Sequence, residues 1–353
     1  MSTTVELGLD TFGDMTLGED GTPDSAAQVI RNLVEQGTLA DQVGIDFIGV
    51  GEHHRDDFAV SAPDVVLAGL ATRTERIKLG SAVTVLSSDD PVRVFQRFST
   101  VDALSNGRAE VILGRGSFTE SFPLFGFDLQ DYEQLFEEKL DLFAHLLTEE
   151  PVTWQGNLRP ALAAADVHPK TEKGLTAWIA VGGSPQSVVR AAAYKLPLML
   201  AIIGGPADRF KQFADLYHRA LEQVRAAEAE AGLEPVGDLP IGVHSPGHIA
   251  DTDAEAREQL FPHFKANRDR IGAERGWPPV QQGEFEREIG QGALYVGSPE
   301  TVARKIADTV RTLGLARFDL KYSNGPMPHA QSMRAIELYG TKVIPLVRDM
   351  LAG

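Results

Sequence analysis

Residues 77–117, IKLGSAVTVLSSDDPVRVFQRFSTVDALSNGRAEVILGRGS, decide the fold. The run IKLGSAVTVL (77–86) is apolar enough for a strand, and AEVILGRG (109–116) is a second. Between them PVRVFQRFSTVDALS (91–105) carries a helical pattern, opened by a proline and closed by Asn106-Gly107. Proline costs nothing at the first helical position, where its missing N–H has no partner anyway, and asparagine or glycine takes up the left-handed residue that ends a helix.

The same cadence runs outward in both directions. Upstream, VELGLDTF (5–12) and FIGVGE (47–52) read as strands, followed by helical patterns over 25–44 and 62–74. Downstream, TAWIAVGG (176–183), PLMLAIIG (197–204), PIGVHSPGHIA (240–250) and FDLKYS (318–323) complete eight strands. Helices are expected from Pro185 and over 207–232, 253–272, 298–314 and roughly 328–350. Two stretches, 117–175 (which holds a helix at 132–147) and 273–297, are poorly patterned and read as insertions. Near-continuous apolar strands suit a parallel sheet buried on both faces. Eight βα units in about 250 residues plus insertions predict an α/β chain with a single domain over 1–353, a (β/α)8 TIM barrel. A doubly wound sheet is the rival, but no complete G-x-G-x-x-G, Walker A or G-x-S-x-G pattern occurs.

Composition narrows the function. The chain has 353 residues, 43% of them hydrophobic, with 33 Lys plus Arg against 50 Asp plus Glu, a formal charge of −17. That balance argues against a nucleic-acid partner, whose phosphates demand clustered positive charge. Without cysteine there is no disulfide, thiolate zinc site or cysteine nucleophile. The start, MSTTVELGLD, lacks a secretory pattern, and the longest apolar run, LPLMLAII, has eight residues. A span needs about 20, so a cytoplasmic protein with no membrane partner is expected.

Chemistry in such a barrel sits at the carboxyl ends of the strands. There the chain places Asp10 and Phe12; Glu52, His53 and His54; Ser81 through Val85; Arg115; Gly182, Gly183 and Ser184; His244 and Ser245; and Lys321, Tyr322 and Ser323. Neighbouring side chains in E-H-H point opposite ways, which disfavours one metal ion, and no metal site is expected. One imidazole facing the barrel mouth, or a histidine satisfied by nearby carboxylates, are the remaining readings. Arg115, between two glycines behind an apolar strand, requires a negative partner, either a structural carboxylate or a ligand anion. GGSPQSVVRAA (182–192) offers a matching half-site: backbone amides, the Ser184 and Ser187 hydroxyls and a helix N-terminus. Strands four and five are neighbours in the barrel, so the two halves point to a phosphorylated ligand.

GVGEHHRDDFAVSAP (49–63), the segment 77–117, VGGSPQSVVRAA (181–192) and YVGSPETVARKI (295–306) together resemble the bacterial-luciferase-like flavin-dependent monooxygenases and oxidoreductases. The resemblance implies a TIM barrel, often a homodimer, with FMN at the carboxyl end. It implies oxidation of a small organic substrate through a reduced-flavin/O2 adduct, the reduced flavin coming in many relatives from a separate NAD(P)H:flavin reductase. His53 takes the place of the active-site imidazole, and Arg115 with Ser184 and Ser187 that of the phosphate clamp, beside Gly182 and Gly183. Ser81-Ala82-Val83 matches the stretch that carries a non-proline cis peptide, expected at Ala82–Val83. An F420-dependent dehydrogenase and a non-catalytic flavin-binding protein are the alternatives on this fold. Phe118, Phe122, Phe125 and Phe127 either line a substrate pocket or form the core of the first insertion.

Overall fold

Leu7, Leu9, Ile48, Val50, Leu79, Val111, Leu113, Ile179, Leu198 and Leu320 alternate along their strands with residues of a different kind and a different destination. In the computed structural model, which describes residues 5–18, 20–116 and 118–353, they face the surrounding helices and form one large core with them. Residues 1–4 of the amino-terminal stretch, and Ser117 at the edge of the first insertion, lie outside the described residues. The strands are β1 (Glu6–Thr11), β2 (Phe47–Val50), β3 (Lys78–Ser81), β4 (Ala109–Gly114), β5 (Thr176–Val181), β6 (Leu198–Ala201), β7 (Ile241–Ile249) and β8 (Arg317–Lys321). Each pairs in parallel with the next, and β8 returns to β1 from Glu6↔Arg317 to Asp10↔Lys321. The result is the closed eight-stranded barrel expected from the cadence.

Alternate residues point inward. Phe47, Ile112, Trp178 and Met199 fill the middle of the barrel. Below them lies a charged plug. The Arg317 side chain is 1% exposed and lies 4.4 Å from the Phe47 ring centre and 4.6 Å from that of Trp178. It donates to Glu110 Oε2 at 2.7 Å and to Glu6, while Lys78 reaches Glu6 at 2.6 Å and Glu110 at 3.1 Å. Trp178 Nε1 completes the set with a 2.9 Å bond to Glu110. Buried charge is tolerated here because every member is paired.

Helices follow the strands: α1 (Ala26–Gln42), α2 (Pro63–Ala71), α3 (Pro91–Ser105), α4 (Tyr132–Leu146), α5 (Pro185–Ala193), α6 (Lys211–Glu230), α7 (Asp253–Arg275), α8 (Gln282–Gln291), α9 (Pro299–Leu313), α10 (His329–Leu338) and α11 (Ile344–Ala352). Both ends of α3 match the sequence signals: Asp90 accepts from the amides of Val92 and Arg93, and Asn106 is left-handed with φ 56°. Helix α2 stops three residues before its predicted end at Thr74. There the Asp41 carboxylate takes the amides of Glu75, Arg76 and Ile77, and Arg108 takes the carbonyls of Ala71, Thr74 and Ile77. The predicted terminal helix is interrupted by a wider turn at Tyr339–Val343. The stretch 273–297 is more regular than its pattern implied: it holds the end of α7, all of α8 and a strand, Tyr295–Gly297, added to the upper half of β7. Among the described residues no helix is long and apolar enough to cross a membrane.

Candidate active site

A cavity of about 450 Å³ opens at the carboxyl ends of the strands, within the size range of small-molecule sites. Ile112, Met199, Ala180 and Val83 form its apolar floor and wall; Asp10, His244 and Asp319 stand on one side, Arg115, Ser184 and Ser187 on another.

E-H-H divides as strand geometry requires. Glu52 and His54 turn the same way, Glu52 Oε1 lying 2.8 Å from His54 Nε2. His53 turns into an aromatic cage: it stacks on Phe58 at 4.2 Å and meets the edges of Phe12 at 5.0 Å and Phe118 at 5.1 Å. Glu120 lies 3.9 Å from His53 Nδ1, an ion-pair distance beyond hydrogen bonding. Burial works to raise the Glu120 carboxyl, but His53 and nearby backbone amides outweigh it and hold it below its ordinary range. The R-D-D that follows is a surface anchor: Arg55 bonds Asp57 at 3.0 Å and Glu274 of α7 at 2.9 Å, and Arg270 pairs with Asp56. No group of three or more His, Asp or Glu able to hold a metal ion occurs among the described residues.

The Ala82–Val83 peptide is cis, as the resemblance implied. It splits the long strand expected over 77–86: β3 ends at Ser81, and Thr84–Val85 resumes pairing with Leu113–Gly114. Val83 packs on Gly114, where a Cβ would lie 2.6 Å from Val83 Cγ2, so glycine is what admits the ridge. Ala82 and Val83 line the cavity. Ser81 is not among the lining residues; its hydroxyl donates to Ile112 O and accepts from Ile112 N, both at 3.0 Å, stitching β3 to β4.

Gly182, Ser184 and Ser187 line the cavity beside Arg115, while Gly183, with φ 117°, makes the turn behind them. Ser184 caps α5, accepting from Ser187 N. Arg115 already has a carboxylate, Glu133, and lies 5.5 Å from the ring centre of Tyr132. Glu133 is 61% exposed, which makes it a partner a ligand anion can displace. A second cation, Arg190, lies behind: it reaches Ser187 Oγ at 3.5 Å, Glu137 at 2.6 Å and Glu133 at 3.8 Å. This donor set, next to a flat apolar floor, fits an elongated ligand with an unsaturated body and an anionic tail.

Three inward-facing groups carried no role in the sequence reading. His244 Nδ1 lies 2.6 Å from Asp10 Oδ2, and the buried Asp10 Oδ1 has no hydrogen-bond partner among the described residues. Asp319, opposite His244 in the strand register, is fully buried, and burial pushes its carboxyl well above the ordinary range against the pull of Arg317. Asp10 and His244 stood among the strand ends, but they are 234 residues apart, and nothing local announces the pair. The four phenylalanines divide. Phe118 lines the cavity, Phe122 is insertion core stacked on Tyr132, and Phe125 and Phe127 line a second hollow behind Glu52 and His54. In that hollow burial pushes the Lys139 amine down to about 8, and the amine donates to Ser87 O at 2.6 Å.

The luciferase-like monooxygenase family model matches residues 11–317. The chain belongs to this family. Among its relatives is the 4-hydroxyprotoasukamycin monooxygenase of Streptomyces nodosus subsp. asukaensis, 27% identical over 350 residues, 96% of this chain and 91% of that protein. The oxygenating constituent of 3,6-diketocamphane monooxygenase from Pseudomonas putida, solved in complex with FMN, shares the fold at TM-score 0.75 and 20% identity, over 97% of this chain and 98% of that one. An F420-dependent secondary alcohol dehydrogenase, in complex with an F420–acetone adduct, does so at TM-score 0.71 and 16% identity, over 98% of this chain and 99% of that one. The luciferase-like fold and an oxidoreductase or monooxygenase activity are thereby common ground. At these identities the two structures speak for the fold alone.

Proposed function

We propose that the chain is an FMN-dependent monooxygenase that oxidises a small organic substrate, working as a homodimer with a separate NAD(P)H:flavin reductase. The observation that carries this reading is one cavity shared by the Ala82–Val83 ridge and the cluster of Arg115, Ser184 and Ser187. Ala82 and Val83 would support the ring of a bound flavin, and Arg115, in exchange for Glu133, would hold its phosphate together with Ser184, Ser187 and the amides at the N-terminus of α5. Bound in reduced form, the flavin would supply the oxidising chemistry together with dioxygen.

The protein's own work is positioning, proton handling and exclusion of water. Phe12, Phe58 and Phe118 enclose His53 on three sides. Its imidazole is the group that exchanges a proton with the reacting centre, with Glu120 facing Nδ1 at 3.9 Å. Arg55 lies 4.7 Å from the ring centre of Phe118 and ties the cage to α7 through Glu274.

Titrating the purified chain with FMN, reduced FMN and F420, read by absorbance and fluorescence, tests this reading. FMN binding that weakens in Arg115→Ala is the expected result. Binding of F420 alone would transfer the assignment to a deazaflavin dehydrogenase. Tight FMN retention without any oxygen-dependent product would indicate a flavin-binding protein without turnover.

A further inference from the structure

The imidazole of His244 is held as a proton acceptor is held in a hydrolytic triad. Its Nδ1 is fixed on Asp10 Oδ2 at 2.6 Å, and Asp10 is 1% exposed, so the carboxylate has no freedom to turn away. The ring lies nearly parallel to Phe12, 5.8 Å between centres and 15° between planes. No other hydrogen bond to it is found among the described residues, so Nε2 remains for whatever enters the cavity that His244 lines. With Nδ1–H donated to a carboxylate, the neutral ring carries its lone pair on Nε2, which makes that atom the base. Phe12 touches both His244 and His53, so the cavity carries two imidazoles, and the role proposed for His53 leaves this one unused.

We propose that the Asp10–His244 pair accepts the proton of an ionisable substrate hydroxyl, and that the substrate class is therefore a phenol or enol. In the step, the substrate O–H bond breaks, the proton passes to His244 Nε2, and the electron pair stays on oxygen. Asp10 balances the imidazolium, and no electron is gained or lost. The anion so formed spreads charge onto carbon, where an electrophilic oxidant attacks. This rests on the monooxygenase reading above, which supplies dioxygen and reduced flavin for the oxidation itself. The surroundings agree: the Phe12 ring beside His244 gives an unsaturated body an aromatic face on the side of the cavity away from Arg115. Other titratable groups stand on two of the neighbouring elements. Asp319 and Lys321 stand on β8 and His53 on the loop after β2, and β6 contributes only Met199 and Ala201. Lys321 is already committed to Asp14 and the Ser323 carbonyl.

4-Nitrophenol, whose ionised form is coloured, is the probe. Titrated into the purified protein across a pH series, the bound probe is expected to show a ratio of ionised to neutral form about tenfold above that of free probe, one unit of pKa. His244→Gln should abolish the excess and Asp10→Asn should reduce it, with circular dichroism confirming that each variant folds. In case His244→Gln does not fold, the Nδ1–H resonance of His244 in histidine-labelled wild type, lost in Asp10→Asn, reports the same tautomer. A probe that fails to bind, binds without excess ionisation, or ionises equally in the variants overturns the proposal. Flavin binding is read separately, so excess ionisation without FMN binding would remove the cofactor reading and leave the base in place.

Discussion

The carboxylate of Glu52 accepts the backbone N–H of Val85 at 3.0 Å, joining the E-H-H segment to the chain just beyond the cis peptide. Its other oxygen holds His54 at 2.8 Å. One buried side chain thus sets the position of the loop that carries His53 relative to the Ala82–Val83 ridge. Alignment of the proposed proton-handling group with the proposed flavin seat depends on this bond.

Glu52→Ala leaves the buried Val85 N–H without an acceptor, at a cost of about 1–3 kcal/mol. Its melting temperature and its affinity for FMN should both fall. Glu52→Gln keeps an acceptor oxygen and should fall less. Differential scanning fluorimetry and flavin titration read the two effects, and variants as stable as wild type would show the bond to be dispensable.

Arg317→Met removes the buried guanidinium and leaves Lys78 to balance both Glu110 and Glu6, and should destabilise the barrel by about 3–5 kcal/mol, measured by urea unfolding. Adding Glu110→Gln should recover part of the loss. Burial raises the Glu110 carboxyl, but Arg317 and Lys78 outweigh it and hold it below its ordinary range. Its contribution is therefore complete above the unfolded value, about 4.3, and is lost as pH falls through the lower folded one. Acid sensitivity should be blunted in the double variant.

Asp319 works in the opposite sense. Burial raises its folded pKa, so above the unfolded value of about 3.9 the folded chain holds a proton that the unfolded chain has released. Stability from this group falls as pH rises toward the shifted value, by at most about 1.4 kcal/mol per pH unit. Asp319→Asn removes that slope. Compared with wild type by urea unfolding across a pH series that starts at the unfolded value and runs upward, the variant should gain ground as pH rises. A constant difference would mean that the carboxyl is ionised in the fold.

Gly114→Ala drives a methyl group into Val83, whose Cγ2 would lie 2.6 Å from it. Overpacking of this kind costs about 1–3 kcal/mol, and displacement of the ridge should weaken FMN binding beyond that. Unchanged flavin affinity would detach the ridge from the cofactor.

Much of this was legible one segment at a time. A proline start and an Asn-Gly stop define α3 because caps are satisfied by residues a few positions away. The strands read as apolar runs because a barrel buries both faces of its sheet. Arg115 and Ser184 are legible at strand ends and Ser187 in the helix start that follows, and the structure brings them to one cavity. Ser81 was grouped with the cavity, yet its hydroxyl turns to Ile112, because the sequence does not say which side of a strand end faces the mouth.

What only the tertiary structure decided are the pairings across the barrel: Asp10 with His244, 234 residues apart, and Arg317 with Glu110, 207 apart. Each member looks unremarkable in its own strand. Whether two such groups meet depends on the stagger between strands and on closure of β8 against β1, where a one-residue slip would turn every inward side chain outward. Local periodicity and capping therefore determined the architecture, while the buried charges, and with them the base proposed here, were determined by register.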